Sequence, residues 1–509
     1  MPAPYLLVML ACLAGDDATT GQPVGPAPAA EGRVLAPPDY FNDANTTAWP
    51  DAPSGDSKKV YEAVARATSD TIWPASRSWE NILSWSVGIT LVVGGLSRTK
   101  RGLHNSMMCL AIFPLACVSF WAYGFAFGWG NWFNGPVPPG WYSPLGPGLE
   151  ILNHGVGLGA NPAAVGEFKY GLLGTTGFFP HAFDNAALLS LFWLMLVSFE
   201  TAATIPIWSM AECWSWRNFC CYGLWVALPF ALIANWTWGG GWLAQAGGNW
   251  GLGHGFVDFA GSGVVYGLGG MIALAGRRVV GPSGRHLRKV SRRGIPLLTA
   301  GLAILLVPLL FLEIAGPAIL NAKTAIISAG SLVLLWPLAR RRTPSPVMVG
   351  CGALSGLVAI SGACAYVSFA AAVIIGGVAG IVFMSSVSLL ERKSIGVEAG
   401  AISVFGASGI WGLLAVGCFA NGTGGHGFNG VVRDAYVAKY GNDGVRGLFY
   451  GDPSQLVVQL LGAAVVAIVG FGLAFAFFKV SNWFVPVRVA AVVEPAVPRA
   501  ADASGQQPL

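Results

Sequence analysis

Charge is what this 509-residue sequence has least of: Asp, Glu, Lys and Arg together make up 10% of it, against about 25% in ordinary globular proteins. So few charges cannot cover the surface of a water-soluble protein this size, which excludes a string of soluble domains. Histidine is also scarce. All six (His104, His154, His181, His254, His286 and His426) fall between apolar runs or at their edges, so no imidazole relay crosses a membrane here. The nine cysteines are odd in number and include no CxxC pair. Most of them (Cys109, Cys117, Cys220, Cys221, Cys351, Cys364 and Cys418) sit inside apolar runs, where a thiol behaves as a small hydrophobe. A disulfide framework and a zinc site are both excluded on that count. No ATP-binding P-loop occurs, so no ATPase in this chain drives anything. Catalytic serine, nucleophile, metal and cofactor constellations are missing as well, and the chain reads as no enzyme. The net charge of +5 resides in short loops rather than in one patch, which argues against a nucleic-acid partner.

What is present is apolar. Hydrophobic residues make up 54%, with 70 Gly and 20 Trp, as expected where helices pack closely in lipid and aromatics sit at its interfaces. From Ser78 onward eleven runs are long enough, at about 17–25 residues, to cross a bilayer as helices. They lie at 78–97, 105–129, 183–210, 218–239, 256–276, 295–313, 323–339, 346–364, 367–390, 398–420 and 456–483. The loops after odd-numbered runs carry most of the basic residues: Arg98, Lys100 and Arg101, then Arg217, then seven between Arg277 and Arg293, then Arg340 to Arg342, then Arg392 and Lys393. Loops after even-numbered runs have few, Lys169 at 130–182 and a few at 421–455. Lys479 and Arg488 accompany the last run. By the positive-inside rule the N-terminus is outside and the C-terminus cytoplasmic, in a multi-pass protein of the cell membrane. Residues 1–20 read as a possible signal peptide, 21–77 as a disordered extracytoplasmic extension, 78–485 as the membrane domain and 486–509 as a short cytoplasmic tail.

The fold class expected is therefore all-α and polytopic, in contact with lipid over eleven helices. The fifth run contains Phe259-Ala260-Gly261-Ser262-Gly263 and the tenth Phe405-Gly406-Ala407-Ser408-Gly409. The two sets of five run in opposite senses, so the pair fits a 5+5 inverted repeat followed by a final helix. Gly352-x-x-x-Gly356 and Gly376-x-x-x-Gly380 are helix-packing spacings.

Ionisable groups inside spans mark functional candidates. Four acids qualify: Glu200 midway along the third run, Glu212 near its inner end, Asp258 at the outer start of the fifth and Glu313 at the outer end of the sixth. Asp258 has two readings, as a cap of the helix that follows or as a ligand contact. Glu212 and Glu313 have interfacial water within reach. Glu200, between Phe199 and Thr201-Ala202-Ala203, needs a partner or a water file.

The motifs also resemble a known family. Trp238-Gly239-Gly240-Gly241, followed by Val257-Asp258-Phe259-Ala260-Gly261 and Val264-Val265, is similar to the signature of the ammonium transporter (Amt/Mep/Rh) family. Gly94-Gly95-Leu96-Ser97-Arg98 before His104-Asn105, Tyr123-Gly124 with Ala126-Phe127-Gly128, Thr201-Ala202-Ala203-Thr204-Ile205 before Ala211-Glu212, and Val404-Phe405-Gly406 extend the likeness over roughly 78–485. The resemblance implies a homotrimer with one narrow hydrophobic pore per subunit and an outer vestibule that attracts the ammonium ion. On it, Trp238 matches the vestibule tryptophan, whose ring face suits a small cation. Asp258 matches the aspartate that shapes the recruitment site.

The sequence departs from the family where the pore runs. The first of the facing pore histidines falls on Tyr266 and the second on Ser408. The outer gate phenylalanine falls on Ser198, with Phe199 beside it; Glu313 falls at the inner gate phenylalanine and Pro317 at the vestibule hydroxyl. The tail motif that couples many members to a PII-type signal protein is missing after Val485, which weakens the case for that regulator. Neither a tyrosine nor a serine hydroxyl shuttles protons as imidazole does near neutral pH. The expected pore lining is Ser198, Phe199, Glu200, Tyr266, Glu313 and Ser408, with Trp238 and Asp258 as the outer binding site and Glu200 holding the ion by its charge. Three functions follow: an ammonium transporter with an altered pore, an ammonium sensor or receptor that conducts little, or a transporter of another small cation or amine.

Overall fold

Each of the eleven apolar runs forms a helix. The computed structural model describes residues 79–97, 102–130, 155–158, 170–175, 177–180, 186–281, 294–310, 317–393, 395, 399–424, 439–441 and 444–489. In chain order the helices are α1 (Trp79–Leu96), α2 (Gly102–Trp129), α3 (Ala186–Met210), α4 (Trp216–Thr237), α5 (Ser262–Val280), α6 (Ile295–Leu310), α7 (Pro317–Ala339), α8 (Pro346–Ile360), α9 (Phe369–Arg392), α10 (Ala399–Phe419) and α11 (Pro453–Phe484). Residues 1–78, Glu313 and 490–509 lie outside the described residues, and with them the possible signal peptide, the extension and nearly all of the tail.

Local chemistry sets the starts. Proline opens α8 and α11, where its missing N–H is one the helix leaves unpaired in any case. Pro317 is the first described residue of α7. Ser215 and Ser368 cap α4 and α9 through bonds from Asn218 N and Ala371 N. The fifth helix differs most from expectation. It begins at Ser262, six residues later than the apolar run, because Gly251, Gly253, Gly255 and Gly261 hold the preceding chain at positive φ.

The packing follows the inverted repeat. α1 lies along α6, its counterpart, and α5 crosses α10. α2 contacts α3 and α4 as α7 contacts α8 and α9, and α3 packs on α5 as α8 packs on α10. At the α5–α10 crossing, a Cβ on Gly270 would lie 2.2 Å from Gly406 N, and one on Gly409 would lie 2.8 Å from Gly267 N. Only glycine allows these backbones to meet. Both helices adopt π-helical turns there, Ser262–Gly267 and Ile402–Ala407, and α2 has a third, Phe120–Gly124. Outside the helices, β1 (Gly155–Leu158) and β2 (Tyr170–Gly174) pair antiparallel. This hairpin rests on the end of α4 through Trp236 Nε1 donating to Leu172 O at 2.8 Å and Trp242 N to Gly171 O at 2.9 Å.

Candidate functional site

The site begins where α4 stops. Trp238 is the residue after its last turn, followed by Gly239, whose Cβ position is filled by Gly128 O at 2.2 Å, and by Gly240 at φ +73°. These glycines turn the chain sharply and leave the indole pointing toward the start of α5. There Trp238 Nε1 donates to the Asp258 carbonyl at 2.8 Å. A Cβ on Gly261 would stand 3.3 Å from the Trp238 ring and 2.4 Å from Val265 Cγ2, so glycine is what admits the ring.

The Asp258 carboxylate is fully buried and works as a cap. Oδ1 accepts from Ser262 N at 2.7 Å, and Oδ2 accepts from Gly263 N at 2.8 Å and Val264 N at 2.9 Å. Three of the N–H groups that the first turn of α5 leaves unpaired are thereby satisfied, and the negative charge meets the positive helix end. Of its two sequence readings, the geometry selects the cap. The Asp258 backbone carbonyl is the acceptor that fixes the direction of the Trp238 indole N–H. Below it Ser262 Oγ donates to Val358 O at 2.8 Å and Gly409 O at 3.0 Å, tying α5 to α8 and α10.

One turn further along α5, Tyr266 stacks on Phe405 (centroids 6.0 Å apart, 17° between planes). Trp85 of α1 lies 6.0 Å from Tyr266 and 6.2 Å from Phe405, and Trp208 of α3 meets Phe405 edge-on at 5.9 Å. All four rings are buried. Trp85 Nε1 is satisfied by Thr204 Oγ1 at 3.0 Å, but Tyr266 Oη and Trp208 Nε1 have no protein partner. Buried donors without partners are rare in folded proteins. Ser408 flanks the same crossing at the Gly267–Gly409 contact, its hydroxyl donating to Ser403 O at 3.2 Å across the π-helical turn. The structure thus places Trp238 and Asp258 together at the start of α5, Tyr266 further along that helix, and Ser408 at its crossing with α10.

Phe199 and Glu200 make their contacts elsewhere, with α2 and α4. α3 turns its Ala202 and Ile205 toward Gly269 of α5. Ser198, one turn earlier, shares that face, and its hydroxyl bonds back to Leu194 O at 3.3 Å. At about 100° per residue, positions 199 and 200 point away from it. Phe199 stacks on Phe120 of α2 (5.2 Å, 15°) and meets Phe230 of α4 at 5.2 Å, inside an aromatic core. Glu200 accepts from the Cys117 thiol of α2 at 3.6 Å. Glu212 lies in the turn after α3. Trp85, Trp208 and Phe405 were not singled out in the sequence as site residues. The one available sign was a tryptophan well inside a span, where the residue favours interfaces instead.

A tryptophan ring face can offer cation–π attraction to a small cation, and the cluster of Trp85, Trp208, Tyr266 and Phe405 adds a hydroxyl and indole N–H groups.

The sequence profile of the Ammonium Transporter Family matches residues 81–497. The chain is 30% identical over 433 residues to ammonium transporter Amt2 of Archaeoglobus fulgidus, covering 80% of this chain and 81% of that one. It is 27% identical over 426 residues to the ammonium transporter of Bacillus subtilis, covering 80% and 91%. In fold it is similar to a structure described as Sensor Amt Protein (TM-score 0.64, 24% identity, covering 86% of this chain and 100% of that one). It is also similar to Mep2 of Saccharomyces cerevisiae (TM-score 0.62, 18% identity, covering 84% and 87%). The match over most of the length, the eleven helices and the Trp238–Asp258 arrangement at the start of α5 agree: this chain belongs to the Ammonium Transporter Family.

Proposed function

We propose that the protein carries ammonium across the cell membrane through a route in each subunit of a homotrimer, with its N-terminus outside and its C-terminus cytoplasmic. The observation that supports this reading is Trp238 held against the start of α5, with the buried Tyr266 hydroxyl, which has no protein partner, further along the same helix. The ion is attracted outside the barrier by the ring face, and what passes inward meets the hydroxyls of Tyr266 and Ser408 rather than imidazole. Membership of a family whose relatives are named ammonium transporters favours this reading over a sensor. The activity named for those relatives also supports reading the protein as a transporter rather than an enzyme.

Growth tests the proposal. Cells lacking their own ammonium transporters should grow on limiting ammonium as sole nitrogen source when they express this chain. Protein present in the membrane without growth would contradict transport, and ammonium binding in that case would favour the sensor.

A further inference from the structure

Three polar side chains near the start of α11 face the non-helical chain that leads to Asp258, and the bonds of the two glutamines among them go to that segment's backbone or to α10. Ser454 Oγ accepts from Gly253 N at 3.0 Å. Gln455 accepts from His254 N at 2.8 Å and donates to Gly255 O at 2.9 Å. Gln459 is the most connected of them. Its Oε1 accepts from Val257 N at 2.9 Å, while its Nε2 donates to Val257 O at 2.6 Å and to Leu413 O of α10 at 3.1 Å. Both glutamines are fully buried. An amide that pairs with both backbone groups of one residue acts like a neighbouring strand one residue long, and it fixes that peptide in position and in rotation.

The residue held in this way is the one before Asp258. The Asp258 carbonyl accepts from Trp238 Nε1 at 2.8 Å, and the next two N–H groups, Phe259 and Ala260, bond to Gly362 O and Ser361 O at 3.2 and 2.9 Å. A rotation of the 257–258 backbone would move the acceptor that orients the indole. We infer that Gln459 is a positioning residue for the outer cation site, acting through Val257 and Asp258 on the face that Trp238 presents. This inference rests on the reading of Trp238 as that site.

The test is a double-mutant cycle on labelled methylammonium uptake by the full-length trimer, with half-saturating concentration and maximal rate measured separately. Trp238→Leu should raise the half-saturating concentration by about 5- to 30-fold, the range of a cation–π contact. Gln459→Met should raise it by about 3- to 10-fold, the range of a lost hydrogen bond, with the maximal rate preserved. In the Trp238→Leu background Gln459→Met should add nothing. Should Gln459→Met yield no trimer, Gln459→Glu replaces it: it keeps the shape, sets an oxygen against two carbonyls, and carries the same expected change. Losses that multiply in the double variant, a fall in maximal rate alone, or no change would each overturn the positioning role. An unchanged half-saturating concentration in Trp238→Leu would instead remove Trp238 from the site, and the two failures are distinguishable.

Discussion

At the residue scale, the decisive assignments turn on which way a side chain points. Glu200 is the clearest case. Its place in the middle of a span makes it a candidate for holding a cation, but rotation along α3 sends it toward Cys117 while Ser198, Ala202 and Ile205 take the α5 face. The account therefore expects Glu200→Gln to leave uptake kinetics unchanged, since a glutamine carbonyl can accept the same thiol. A sharp loss of uptake in that variant, with trimer yield intact, would return Glu200 to the route. Side-chain direction was hidden in the sequence for a physical reason. α3 is apolar on nearly all sides, so its composition has no polar face from which a rotation can be read. Asp258 was legible as one of two roles, because a carboxylate before a helix suits a cap and a ligand equally; the three backbone N–H bonds decide between them.

At the element scale, the helices were legible because a bilayer demands length and apolarity, and those are written in the sequence directly. What lay between them was less so. Residues 256–261 look apolar enough to extend α5, yet Gly255 before them and Gly261 take positive φ and the helix waits for Asp258 to cap it. The hairpin β1–β2 and the π-helical turns left no periodic mark. The α5–α10 crossing gives a test with a built-in asymmetry. A methyl on Gly270 would meet Gly406 backbone atoms at 2.2 and 2.3 Å, whereas one on Gly406 finds its nearest neighbour at 3.4 Å. Gly270→Ala should therefore destabilise the fold by about 1–3 kcal/mol, the usual range for overpacking, and Gly406→Ala by less than about 0.5 kcal/mol. Thermal unfolding in mild detergent reads both. Equal effects would mean that the helices do not cross at these two glycines.

At the scale of the whole molecule, the sequence carried the family and the span count, while the interior of the route came from the fold. Tyr266 and Ser408 could be placed as departures from the family's histidines, but the box that Trp85, Trp208 and Phe405 close around Tyr266 draws on α1, α3 and α10, and no local pattern joins them. The central claim is that this box, without imidazole, still passes ammonium. The most direct measurement is uptake of labelled methylammonium into liposomes holding the purified protein, confirmed by mass as three chains of 53.0 kDa. Saturable uptake above that of empty liposomes is expected, competed by ammonium and weakened in apparent affinity by Trp238→Leu. Uptake no greater than that of empty liposomes, from trimers shown to be intact, would contradict it.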